Sequence, residues 1–155
     1  MKIYITAPSY DLDLKLKYAK LFESWGHSIP NRSLLADRPN PEIEISDELK
    51  RKRAERDLDT LKDSDCLAIF SDDENGLLPV HRLELVCFQV GVMLAQEKPV
   101  LAVGVRLGYF NHLPGIQYIP NPSFMDNDGQ YFLQDIAYAY DIAPTEPPSL
   151  ARKPE

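Results

Sequence analysis

Cysteine is scarce in this chain: Cys66 and Cys87 are the only two among 155 residues. Each sits inside an apolar run, CLAIF and LVCFQV, where a thiol serves as a small hydrophobe. A disulfide framework is therefore excluded, and a reducing, cytoplasmic location is expected. Histidine is almost as rare, and His27, His81 and His112 are scattered without an HExxH or a Cys pair, so neither a metal nor a cofactor is expected. Basic residues are in the minority, Lys+Arg 17 against Asp+Glu 24, for a formal net charge of -7. That is the wrong sign for counterion-release binding to a phosphate backbone, which excludes a nucleic-acid polymer as partner but not a single nucleotide. No run of 18 uncharged apolar residues occurs, and the opening MKIYITAPSYD has no long apolar segment. Neither a membrane span nor a secretory leader is expected. Glycine-rich phosphate loops are missing as well: no GxGxxG follows the first apolar segment and no GxxxxGK[ST] occurs, which removes dinucleotide oxidoreductases and P-loop enzymes.

What is present is enough apolar residue, 44%, to fold one core. Lys2 to Thr6 (KIYIT) reads as a buried strand, and Leu12, Leu16, Ala19, Phe22 and Trp25 then recur at helical spacing up to Gly26, a helix stop. His27 to Arg32 (HSIPNR) makes a second, weak strand, because Pro30 removes a ladder donor. A proline-bearing loop from Ala36 to Ile45 is a candidate lid. Ser46 caps a helix from Asp47 to about Lys62, followed by a strand Cys66 to Phe70. Val80 to Gln96 is apolar almost all round and reads as a buried helix. Strands Val100 to Val103 and Ile116 to Ile119 and a last helix near Gln130 to Tyr140 complete the pattern. Alternating strands and helices predict an α/β fold: a flavodoxin- or Rossmann-like, doubly wound parallel sheet of five strands flanked by helices. It forms one domain over residues 1–142, with 143–155 a proline-rich tail expected to be disordered.

In an open parallel sheet the ligand lies at the carboxyl ends of the strands, which directs attention to residues 7–11, 31–40, 71–80 and 104–115. Asp57 shares a helix face with Ala54, Leu58 and Leu61, so its carboxylate is carried toward the sheet. Gln89 lies likewise beside Leu85, Val86 and Met93. A buried polar group must be partnered, so each either ties two elements together or serves a cleft, and spacing alone does not decide between the two. Asp72, Asp73 and Glu74 cluster after a strand, where a solvated turn and a ligand contact are both open.

The order of three segments, KIYITAP, RDLDTLKDSDCLAIF and FQVGVMLAQEKPVLAVG, resembles the nucleoside 2-deoxyribosyltransferase family and its nucleotide N-glycosidase relatives over about residues 1 to 119. NRSLLAD is similar to the stretch after the family's second strand, and GVRLGYFNHLPGI to the loop that closes over many bacterial and phage members. The resemblance implies a small-molecule ligand, a 2′-deoxynucleoside or its 5′-monophosphate, and a homo-oligomer whose sites borrow residues from a neighbour. It implies a catalytic set of Tyr4, Asp57 and the residue at position 89. Tyr4 matches the tyrosine that hydrogen-bonds the nucleophile, and Asp57 matches the carboxylate of the family's D-L-x-x-[IL] helix. Around them it implies ligand contacts from Ala7, Pro8, Ser9, Arg32, Asp72, Glu84, Asn111 and His112. Ser9 is suited to a phosphate or 5′-hydroxyl, or to a plain turn.

One departure from the family stands out. The family's nucleophile is a glutamate two residues before a glycine, and here that position is Gln89, before Gly91. In the family a carboxylate attacks the sugar C1′, the base leaves, and a second base or water takes the sugar from the covalent ester. A neutral amide cannot do this. Three readings are open: an engineered Glu-to-Gln trap, a natural binder or sensor with silenced chemistry, or a rearranged site that uses Glu84. Five residues on a helix place Glu84 about 140° from Gln89, which argues against the third. LLPVHRL before this helix, where the family has glycine and small polar residues, implies an altered substrate.

Overall fold

The computed structural model describes residues 1–6, 12–32, 46–71, 80–120 and 123–142. Four parallel strands form one sheet in the order β1 (Ile3–Thr6), β2 (Cys66–Phe70), β3 (Val100–Val103), β4 (Ile116–Ile119). Every residue of β1, β2 and β3 is buried, as expected of apolar strands with no polar alternation in a parallel sheet covered on both faces. Helices α1 (Leu12–Ser24) and α4 (Ser123–Ala139) cover one face. Helices α2 (Asp47–Lys62) and α3 (Val80–Ala95) cover the other. On the first face Tyr18 stacks on Phe70 with ring centroids 3.8 Å apart, beside Phe22.

The punctuation read from the sequence holds. Gly26 takes φ 83, and the amides of Gly26 and His27 close on the carbonyls of Glu23 and Phe22, the double bond of a glycine-terminated helix. The Ser46 side chain accepts from the Leu49 amide at the start of α2, with Asp47 and Glu48 in the first turn.

Three expectations are corrected. Among the described residues the sheet has four strands, not five: residues 27–32 keep a single parallel bridge between Ser28 and Lys2. Pro30 has no amide proton to continue the ladder, and the next residue replaces backbone pairing with side-chain pairing. The Asn31 Oδ1 accepts from the Ile5 amide at 3.1 Å and its Nδ2 donates to the Ile5 carbonyl at 2.7 Å, so one side-chain amide does what the next strand residue would have done. The last helix starts at Ser123 rather than near Gln130 and runs through Gly129. Finally, α3 is not buried all round. Val86, Gln89, Val90 and Met93 face the sheet, while Leu83, Leu85, Cys87 and Phe88 are exposed, because a single sheet covers one side of a helix only. Cys66, by contrast, is fully buried, and burial pushes its thiol up to about 12.

The candidate lid at 36–45, the acidic loop at 72–74 and the tail at 143–155 lie outside the described residues. Among the described residues no helix is long and apolar enough to cross a membrane.

Candidate functional site

Side chains alternate along a strand, and this alternation builds the site. Ile3 and Ile5 enter the core beneath α1 and α4, so Tyr4 between them points to the α2 and α3 side. There it is 3% exposed, and a phenol so deeply placed must find a hydrogen-bond partner. Its hydroxyl donates to Asp57 Oδ1, a carboxylate carried in by α2. The side-chain amides of Asn31 and of Gln89, the latter carried in by α3, lie beside it and favour its ionised form. Burial, then the negative charge of Asp57 and the bond to it, hold the Tyr4 hydroxyl well above the ordinary tyrosine range, while the donors on Asn31 and Gln89 pull the other way. Tyr4 is thus a neutral proton donor at any physiological pH.

The directions of these bonds follow from the chemistry of the groups. A carboxylate accepts only, so Tyr4 must spend its one proton on Asp57. The lone pairs of the phenol are then left to face the side-chain amides of Asn31 and Gln89. Gln89 is 3% exposed, and its carbonyl oxygen Oε1 is buried with no hydrogen-bond partner among the described residues. Asp57 is only half-buried, so the cluster has an approach on that side.

Tyr4, Asp57 and Gln89, on three different elements, are therefore brought together. Arg32 follows the clamping Asn31; its Nε lies 3.6 Å from Glu23 Oε1, and its Nη1 is buried without a partner among the described residues. Such a cationic donor suits an anion. Glu84 is not part of the cluster: it is exposed on α3, on the side away from Gln89. Asn111 is engaged in its own loop, accepting from the Leu107 amide at 3.3 Å and donating to the Val105 carbonyl at 3.4 Å. His112 is exposed at the end of a 3₁₀ turn, Gly108–His112. Among the described residues neither Asn111 nor His112 hydrogen-bonds Tyr4, Asp57 or Gln89, and Asn111 ties its own loop. Ala7, Pro8, Ser9 and Asp72 lie outside the described residues.

Sequence reasoning missed Asn31. The available signal was an asparagine directly after the proline that ends a strand, where an amide can stand in for the missing backbone donor and acceptor. No group of three or more His, Cys, Asp or Glu side chains suited to a metal occurs among the described residues. A groove of about 740 Å³ between the end of α1 and α4, lined by Trp25, His27, Leu133 and Tyr138, contains none of the candidate residues.

No protein-family model matches the chain, and no curated protein matches it. The geometry has to carry the functional reading together with the motif order.

Proposed function

We propose that the chain binds a 2′-deoxynucleoside or its 5′-monophosphate in the cleft at Tyr4, Asp57 and Gln89, on a flavodoxin-like variant of the α/β fold related to the nucleoside 2-deoxyribosyltransferases. The observation that supports this most is the convergence of the three residues on one phenol oxygen from β1, α2 and α3. These are the residues that the motif order singles out. The sugar ring lies against residue 89 in this reading, and Arg32 offers its buried Nη1 to a 5′-phosphate.

Glycosyl transfer is silenced in the chain as it stands. Gln89 has no anionic oxygen to form an ester with C1′. With a carboxylate at position 89 the chemistry balances. The carboxylate oxygen bonds to C1′ as the C1′–N bond breaks, the departing base takes a proton from solvent, and water or a second base then displaces the carboxylate and returns a proton to solvent. Such an N-glycosidase or deoxyribosyltransferase is the parent activity. Calorimetric titration with deoxynucleosides and deoxynucleoside 5′-monophosphates tests the binding, and saturable heat with at least one of them is expected. A flat titration with the full set contradicts the proposal.

A second reading, a nucleotide-sensing or interaction protein in which Gln89 is the natural residue, is favoured by one feature. The amide fits its surroundings, because the Tyr4 oxygen has a lone pair to accept from it where a carboxylate would find none of its protons available. Binding without gain of activity in Gln89→Glu distinguishes the two.

A further inference from the structure

The groove of about 740 Å³ between the end of α1 and α4 has the size of a ligand pocket and takes no part in the site described above. Tyr4 faces α2 and α3, whereas the groove lies across the sheet from it, with α1 and α4. Two aromatic side chains form its walls. Trp25 is half-buried, and Tyr138 is 92% exposed, a ring that no described residue covers. Asp135 and Asp141 also line the groove, and its described lining residues include no lysine or arginine. Neither carboxylate has a salt bridge among the described residues.

The backbone leads the chain into this groove. After α4 the chain reverses at Asp141, which takes φ 51, and the amide of Ile142 donates to the Ala137 carbonyl at 2.8 Å. Ile142 packs back on the core. Asp141 and Ile142 both line the groove, so residue 143 starts at its edge. The sequence that follows is APTEPPSLARKPE. Pro144, Pro147 and Pro148 bring no amide proton and favour an extended helix without backbone pairing, the form that docks in aromatic-lined grooves. From Gln130 to Tyr138 the α4 wall is about 12 Å long at 1.5 Å per residue, which about four residues of such an extended helix cover at 3.1 Å each. Beyond the prolines come Arg152 and Lys153, opposite in sign to the two groove carboxylates.

We propose that the groove is the seat of the chain's own proline-bearing segment 143–155: its prolines lie on Trp25 and Tyr138, and Arg152 and Lys153 face Asp135 and Asp141. Residues 144–148 are long enough to span the α4 wall, and 149–151 give the slack that returns the basic pair to the carboxylates. The segment docks in cis, because a tether that starts at the groove's edge gives its own segment a far higher effective concentration than another copy has. Tyr4, Asp57 and Gln89 lie across the sheet, so this docking and nucleoside binding stand or fall separately.

Trp25 is the only tryptophan in the chain, so its fluorescence reports on the groove directly. Acrylamide quenching of the full chain is to be compared with that of a full-length variant carrying Pro144→Gly, Pro147→Gly, Pro148→Gly, Arg152→Glu and Lys153→Glu. The variant is expected to be quenched about twofold more steeply with unchanged circular dichroism, and a synthetic peptide of residues 143–155 is expected to restore the shielding saturably. A second variant, Asp135→Asn with Asp141→Asn, removes the groove's charge and keeps a residue suited to the left-handed turn. Trypsin should cut it after Arg152 at least about fivefold faster than the unsubstituted chain. Equal quenching of the chain and the first variant overturns the proposal, and so does an equal rate of cleavage in the second. A peptide that leaves the variant's quenching unchanged also contradicts it. Shielding of Trp25 that is lost on dilution overturns docking in cis.

Discussion

Tyr4 and Asp57, 53 positions apart in the chain, share one hydrogen bond in which the phenol is the donor. That bond joins the first strand to the second helix. If Asp57 serves the cleft, its half-buried carboxylate still has an oxygen for a ligand hydroxyl, a charge-assisted bond worth roughly 1.5–3 kcal/mol. Asp57→Asn keeps an oxygen to accept from Tyr4 and removes the charge. It should leave the melting temperature within a few degrees and weaken nucleoside binding at least about tenfold. A lowered melting temperature with unchanged affinity would assign Asp57 a purely structural role.

Asn31→Ala removes both bonds to the Ile5 backbone at a residue that is 2% exposed. Urea unfolding should report a loss on the order of 2 kcal/mol, since Ile5 is left with an unpaired N–H and C=O at the sheet edge. Asn31→Asp should be no better. It retains the acceptor for the amide, but it turns a carboxylate oxygen toward the Ile5 carbonyl and the Tyr4 phenol. Full stability in either variant would remove Asn31 from the account.

His27 is 9% exposed, and burial, with the Met1 amine 3.4 Å from its Nδ1, lowers its pKa from 6.5 to about 4. Between these values the unfolded chain binds the proton and the folded chain does not, so unfolding is favoured as pH falls through that window. Stability should be full above about pH 6.5 and decline by on the order of 2–3 kcal/mol toward pH 4. His27→Gln should flatten that part of the profile in denaturant melts at pH 7, 6, 5 and 4. An equally steep decline in the variant would place the titration elsewhere.

The exposed side of α3 bears on assembly. Leu85 is 40% exposed and Phe88 55%, and Phe110 and Leu113 extend the apolar surface across the β3–β4 connection. Gly91, in mid-helix on this side, has open space where a Cβ would stand, so among the described residues nothing requires a glycine there. A homo-oligomer packed on this face is expected. Light scattering should give a multiple of 17.7 kDa, and Phe88→Glu should lower it to one. A concentration-independent monomer for the unsubstituted chain contradicts the expectation.

The strands were legible in the sequence because each is a short apolar run bounded by a loop signal, and so were the caps at Gly26 and Ser46. The helix spacing also carried Asp57 and Gln89 to the correct face. The fifth strand was misread because apolar content outvoted one proline, and the periodicity could not reveal that a side chain would finish the ladder. Asn31 was invisible for the same reason. Its partners are a backbone unit 26 positions away and a phenol, and no local pattern encodes that meeting. The face of α3 was half legible: its apolar character was plain, but a sequence does not tell which side the sheet will take. Glu84 and His112 were assigned by motif position, and exposure on a helix and a turn is what the backbone geometry gave them.

Gln89→Glu would set a second carboxyl against the Tyr4 oxygen at nearly full burial, where desolvation and the neighbouring Asp57 favour the protonated acid. Recovered activity should therefore rise with pH as that group ionises, with its midpoint above the ordinary glutamate range. An activity that is flat from pH 5 to 8 would contradict this.

The most direct measurement follows free base by chromatography when the chain, and Gln89→Glu, are each incubated with deoxynucleosides and deoxynucleoside 5′-monophosphates, with and without a second base. The account predicts no release by the chain and release or exchange by Gln89→Glu with at least one substrate. Silence from a folded Gln89→Glu that still binds nucleoside would contradict a glycosyl-transfer site at Tyr4, Asp57 and position 89.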